Sequence, residues 1–339
     1  MLLALLRPET AFCGIAPEPA DAVNPWVANV YFENDLFSET DQNYTNGIRV
    51  SWVSPDVSSY IEDDSNILPD WVRRLNRKLK FLHKSHTEPQ RNIILTLGQT
   101  MYTPLDRNRS DLIINDRPYA GWLFGGIGYH SRKEQGLSSI VMNIGVVGPA
   151  AFAQEAQDFI HDLRGFKKFN GWDNQLSNEL GIAIVYERKD RALVKVPGNG
   201  FGYDAITHYG ASIGNVATYL NGGMEFRVGW NIPPDFGTSS LRPGGDNAAP
   251  GSGSDKRAGL HLFVALDARW VAQDIFLDGN TFTDSHSVDK EPLVADLAAG
   301  LSFSTRYFKL SYAQISRTRE FKLQQSSHSY GSLSLSMTF

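Results

Sequence analysis

The residue of this chain best suited to chemistry is His161. It stands four places after Gln157 in the run GPAAFAQEAQDFIH, from Gly148 to His161, so on a helix the two side chains lie one turn apart. An imidazole held at a rim and facing amide and carboxylate groups is a candidate general base, because its neutral form can take a proton from water. The alternative is a solvated helix histidine. Other polar groups converge on the same end of the pattern: Asn34 and Asp35 close the first apolar run, Thr45 opens the second, and Arg107, Arg109, Asp116 and Arg117 lie between the third and fourth. There is no GxSxG segment and no compelling Ser-His-Asp spacing, which argues against a covalent serine mechanism. The single cysteine, Cys13, excludes a disulfide framework and any CxxC-type zinc site.

The element carrying His161 is a predicted helix that starts at Gly148-Pro149, with proline in its first turn. Phe152, Ala156, Phe159, Ile160 and Leu163 form one apolar stripe, the side expected to make the helix's apolar packing. Gln154, Gln157, Asp158 and His161 fall almost opposite, and Glu155 points sideways.

Beyond Pro25 the dominant signal has period two. Trp26, Ala28, Val30 and Phe32 alternate with Asn29, Tyr31, Glu33 and Asp35, and Leu260, Leu262, Val264 and Leu266 alternate with His261, Ala265 and Asp267. Such runs predict strands near 26–35, 44–53, 92–101, 120–132, 136–148, 177–190, 202–213, 215–230, 259–272, 293–304, 306–318 and 329–339. Twelve strands of about ten residues suit a tilted bilayer crossing. The even count, the Trp and Tyr near strand ends and the terminal Phe339 favour an all-β, twelve-stranded antiparallel transmembrane β-barrel over a soluble sandwich. Outer loops would fall at 36–43, 102–119, 149–176, 213–216, 273–292 and 319–328, with a short helix in the third. The inner connections include 54–91, with a basic amphipathic helix around Val72, Leu75, Leu79 and Leu82, and the Gly/Ser/Pro-rich 231–258, expected to be disordered. That helix would either rest on inner-leaflet headgroups or sit solvated under the barrel. The inward residues Glu33, Arg49, Glu187, Glu225, Arg227, Asp267 and Arg269 carry both signs and could pair into a plug.

The 339 residues include 32 basic and 37 acidic ones, a net charge of −5, which offers no electrostatic case for nucleic acid. No apolar run is long enough for a membrane-spanning helix. Residues 1–25 read as a tail, either the remnant of a signal region or a segment without a role, ahead of a single barrel domain at 26–339.

Three segments carry a more specific likeness. FENDLFSETDQNYTNGIRVSW (Phe32–Trp52), DRPYAGW (Asp116–Trp122) and GPAAFAQEAQDFIH (Gly148–His161) occur in the order seen in the lipid A 3'-O-deacylases, and the chain resembles that family of outer-membrane barrels over roughly 26–339. The resemblance implies an enzyme of the cell outer membrane that hydrolyses the 3'-acyloxyacyl ester of lipopolysaccharide, with its active site on the outer-leaflet side; a monomer is expected, though the sequence leaves the oligomeric state open. It implies His161 as the water-activating base, Gln157 as its neighbour, Asn34 and Asp35 as the pair beside the metal, and Thr45 as a hydroxyl in the site. Arg109 stands where a relative has lysine, and Lys167 where a relative has glutamate, which leaves the role of a second carboxylate there open. Elementary chemistry is compatible with this. Ester hydrolysis needs an activated water and a stabilised oxyanion. Oxygen donors such as Asp35 and the Asn34 carbonyl suit Ca²⁺ acting as a Lewis acid. Arg107 and Arg109 could meet lipid phosphates, whereas Arg117 reads best as a loop-holding ion pair. Two other readings stay open: a non-enzymatic barrel, pore or structural, and an esterase of the same type acting on phospholipid.

Overall fold

A computed structural model of the chain describes residues 25–35, 43–57, 90–133, 135–195, 200–238 and 258–339. Among these, twelve antiparallel strands close into one barrel in simple meander order. They are β1 (Val27–Asn34), β2 (Asn43–Val53), β3 (Gln90–Thr103), β4 (Ala120–Lys133), β5 (Gly136–Val147), β6 (Glu179–Lys195), β7 (Phe201–Ile213), β8 (Ala217–Trp230), β9 (Gly259–Asp274), β10 (Leu293–Ser304), β11 (Phe308–Arg317) and β12 (His328–Thr338). Among the described residues two α-helices accompany them, α1 (Ala153–Arg164) and the single turn α2 (Ile275–Asp278).

Closure satisfies the backbone. An open sheet edge in hydrocarbon would leave N–H and C=O groups without partners; here β1 pairs with β12 from Val27↔Thr338 to Asn34↔Gly331. Beyond the strand ends, Trp26 N donates to Phe339 O at 3.0 Å and Phe339 N to Trp26 O at 3.1 Å, so the terminal aromatic seals the seam. The period-two pattern then divides the side chains. Leu95, Leu97, Leu220, Leu262 and Leu297 stand exposed on the outer face, a wall that only lipid would cover.

The inner face is filled by charge. Arg227 binds Asp204 at 2.7 Å and also engages Asp235, which Lys309 shares. Nearer the other end, Asp296 receives Arg317 at 2.8 Å and Arg269 at 3.0 Å. Buried charges persist only when paired, and removing one partner costs about 3–5 kcal/mol, so these pairs tie neighbouring strands of the lumen wall to one another.

Two expectations change. The strand predicted to stop at 190 continues to Lys195, because β6–β7 pairing carries on through Arg191↔Ile206 and Ala192↔Ala205 before a bulge. The 231–258 connection is ordered at its start: Asp235 and Phe236 are buried, the former captured by Arg227 and Lys309. Its remainder, the predicted basic helix at 72–82 and the tail before residue 25 lie outside the described residues.

Candidate functional site on the outer wall of the barrel

The strand ends near Asn34, Thr103, Ala120 and Val147 mark one mouth of the barrel, here the long-loop end, so called for the 148–178 loop that carries α1. Strand alternation places neighbouring residues on opposite faces. On β4, Ala120, Trp122 and Phe124 belong to the interior cluster, so Gly121 faces outward. On that face α1 has its seat. A Cβ added at Gly121 would lie 2.4 Å from the Ala153 Cβ, so only glycine admits so close an approach. Gln99 Nε2 donates to Ala151 O at 2.6 Å, and Asn178 Oδ1 accepts from Ala150 N at 2.8 Å. Met101, Tyr119, Ala153, Phe169 and Trp172 form an apolar cluster beneath the helix, with Ala156 packed against it. The chain enters α1 through a 3-10 turn at Pro149–Ala151 and leaves it at Gly165, whose φ of 68° is a left-handed cap.

The face of α1 turned to the wall is Ala153, Gln157 and His161, all buried. The apolar stripe therefore does not make the protein contact expected of it: Phe152, Phe159 and Leu163 are exposed, and of the stripe only Ala156 joins the cluster. The buried polar groups are held by specific bonds. Trp172 Nε1 donates to Gln157 Oε1 at 2.8 Å. His161 Nδ1 lies 2.7 Å from the Lys167 carbonyl. A carbonyl can only accept, so Nδ1 carries the proton and Nε2 holds the lone pair of the neutral ring. Phe166 and Phe169 flank the imidazole, their ring centres 5.9 and 5.8 Å away. Lys167, exposed, thus contributes its backbone where a carboxylate side chain was in question.

Asn34 and Asp35 are both buried at the end of β1. Glu33 faces the lumen, where Ser332 Oγ donates to it at 3.1 Å, so Asn34 belongs to the outer face. The register carries a single row from Asn34 to Asn46 on β2 and Met101 on β3. Strands are about 4.8 Å apart, so β1 lies roughly 10 Å from the β3 residue on which α1 rests. Thr45 falls at the β2 bulge between Tyr44 and Asn46; its side chain is outside the description. The row exposes one residue that sequence reasoning missed. Asn46 Oδ1 is buried with no hydrogen-bond partner among the described residues. Its only sequence signal was a place next to Thr45 in NYTNG.

The loop from Thr103 to Tyr119 is stitched to the same corner. Asn170 N donates to Arg107 O at 3.0 Å, and Asn174 Nδ2 to Ser110 O at 2.8 Å, beside Trp172. Arg107 is half-buried, and Arg109 is exposed and engages Asp111. Arg117, in contrast, is buried and binds Glu320 at 2.9 Å. Burial opposes charge on Glu320, but Arg117 and Arg317 outweigh it and hold the carboxyl below its ordinary range. Burial pushes the Tyr119 phenol up to about 12, which keeps it neutral.

A hard cation takes six to eight oxygen donors. Asn34, Asp35 and Asn46 offer oxygens of the right kind on adjacent strands, with Asn46 Oδ1 buried and unsatisfied among the described residues. No group of three or more His, Cys, Asp or Glu that could hold a metal occurs among the described residues, so carbonyls, amides or water would have to complete the set.

Comparison with known proteins closes the question of kinship. Residues 4–339 match the model of the family described as outer membrane protein LpxR. LpxR from Salmonella typhimurium superposes with a TM-score of 0.69 over 92% of this chain and 100% of that one, at 18% identity, a likeness of fold. The beta domain of the Bordetella autotransporter BrkA aligns more loosely, at a TM-score of 0.45 and 10% identity over 93% of this chain and 99% of that one. No curated protein sequence matches. The chain belongs to the LpxR family of outer-membrane proteins.

Proposed function

We propose that this barrel is a lipid A 3'-O-deacylase that hydrolyses the 3'-acyloxyacyl ester of lipopolysaccharide with a water activated by His161. The observation that carries the reading is the place of His161: it is buried between α1 and the outer wall, on the side a lipid reaches without entering the lumen. Membership of the LpxR family supports the same reading.

In this mechanism the Lys167 carbonyl holds the His161 tautomer, and Nε2 takes a proton from water as the oxygen attacks the ester carbonyl. The proton returns to the leaving alkoxide as the ester C–O bond breaks. Trp172 fixes Gln157 through its oxygen, which aims the amide N–H groups of Gln157 as donors to the reacting oxygens. Asp35 and Asn34 would hold Ca²⁺ with Thr45 close by, and the cation would supply Lewis-acid stabilisation of the developing oxyanion. Arg107 and Arg109 would meet the phosphates of lipid A, at the long-loop end taken to face the outer leaflet. Phe166, exposed beside the imidazole, gives the acyl chain an apolar wall, and the buried Phe169 backs the ring from the cluster beneath.

The paired charges of the lumen count against a pore. Mass spectrometry of lipid A from cells expressing the chain tests the reading. Loss of the 3'-acyloxyacyl group is the expected result. Unchanged lipid A with cleaved phospholipid would transfer the same chemistry to a glycerolipid, and no cleavage of either would end the enzymatic reading.

A further inference from the structure

A helix turns about 100° per residue, and α1 consequently has three faces. Ala153, Gln157 and His161 meet the barrel. Glu155, Asp158 and Asp162 form one flank, where Lys168 reaches Asp162 at 2.8 Å. Phe159 and Leu163, continued by Phe152, form the other, and they are exposed by 66%, 73% and 58%. A soluble protein rarely leaves three such residues together in water. The barrel beneath shows what covers them. Gln99 and Met101, on which α1 rests, continue down the same face of β3 into the exposed Leu97 and Leu95. Two residues along a strand span about 6.6 Å, so the lipid-facing wall begins one pleat below the helix. Ile144 and Met142 extend it on β5.

We infer that the Phe152–Phe159–Leu163 flank of α1 is a membrane-contact surface, seated in the acyl chains of the leaflet at the long-loop end while the acidic flank faces water. The helix is an interfacial one clamped to a barrel: its polar side is satisfied by protein, its apolar side by lipid. This surface would hold the His161 site at the depth of the acyl chains, and it stands whether or not the deacylase reading does.

Spin labelling tests it without reference to activity. In the full chain carrying Cys13→Ser, single labels from Phe159→Cys and Leu163→Cys are compared with labels from Glu155→Cys and Asp162→Cys. The barrels are refolded into dioleoylphosphatidylcholine vesicles, and folding is confirmed by heat-modifiable gel migration. Ile160→Cys, which leaves Phe159 and Leu163 in place, repeats the measurement with the flank intact. Collisions with oxygen, which concentrates among acyl chains, are read against collisions with a water-soluble nickel chelate. The expected result is a several-fold higher oxygen-to-nickel ratio at 159 and 163 than at 155 and 162, with 160 following the apolar flank. Equal access of the nickel chelate to both flanks would overturn the inference. So would exclusion of both reagents at 159 and 163, which would mean that protein covers the flank.

Discussion

Replacing His161 separates two things the side chain could do, serve as the base or merely seat the helix. His161→Ala removes the Nδ1 hydrogen bond to the Lys167 carbonyl, worth about 0.5–1.5 kcal/mol, along with the ring contacts to Phe166 and Phe169. A seating role alone would act through these contacts, and a variant that keeps the hydrogen bond should then keep most of the rate. Loss of a general base costs about 10²–10⁴, or roughly 2.7–5.4 kcal/mol. His161→Asn sharpens the contrast, because its Nδ2–H group falls near the place of imidazole Nδ1 and can still donate to the Lys167 carbonyl, yet no group remains to accept the water proton. Both variants should form heat-modifiable barrels, because His161 belongs to no strand and β1–β12 closure does not involve it. Deacylated lipid A, quantified by mass spectrometry at matched amounts of folded barrel, should fall at least a hundredfold in both. Lys167→Ala should change it little, because the group that matters there is the backbone carbonyl. Recovery of the rate in His161→Asn would refute the base assignment and leave the residue a structural prop.

Removing divalent cations with a chelator should abolish deacylation, and Asp35→Ala should lose the cation-dependent rate while the barrel still folds; full activity in chelated protein would dismiss the cation. Gly121→Ala forces the new Cβ to within 2.4 Å of Ala153 Cβ, so α1 must shift outward. The overpacking costs about 1–3 kcal/mol and the misplaced histidine about 10² in rate, and wild-type turnover in this variant would contradict the seating described here. Glu320 titrates below its ordinary value because of Arg117 and Arg317, with burial opposing them. Its stabilisation is thus complete above the unfolded value of about 4.3 and is lost only as the pH falls through the lower folded value. Hydrogen exchange in 318–327 should accelerate in that acid window, and Glu320→Gln should remove the acid dependence; an unchanged profile would show that another group holds the loop.

How much of this could be read from the residue order differs from one element to the next. The recurrence of Leu260, Leu262 and Val264 at every second place, with His261 and Asp267 on the alternate ones, sufficed for the strand, its lipid face and its lumen face, because a strand's side chains can point only two ways. Twelve such runs favoured a barrel, and the pairing of β1 with β12 closes it as a meander. The spacing of Gln157 and His161 likewise sufficed to put both on one helix face. Which face turned toward protein was not in the pattern. Periodicity reports that a helix has an apolar side but not what lies against it. In water the apolar side goes to the core. Beside a bilayer lipid can take that side, whereas buried amide and imidazole groups have only protein to satisfy them. The Trp172 indole, the Lys167 carbonyl and the close approach at Gly121 supply those partners. Trp172 and Lys167 belong to the same loop as α1, but the side of the helix that is covered is set where Gly121 and Gln99, on neighbouring strands, seat it, and for that reason the tertiary structure alone decided that α1 buries its polar face.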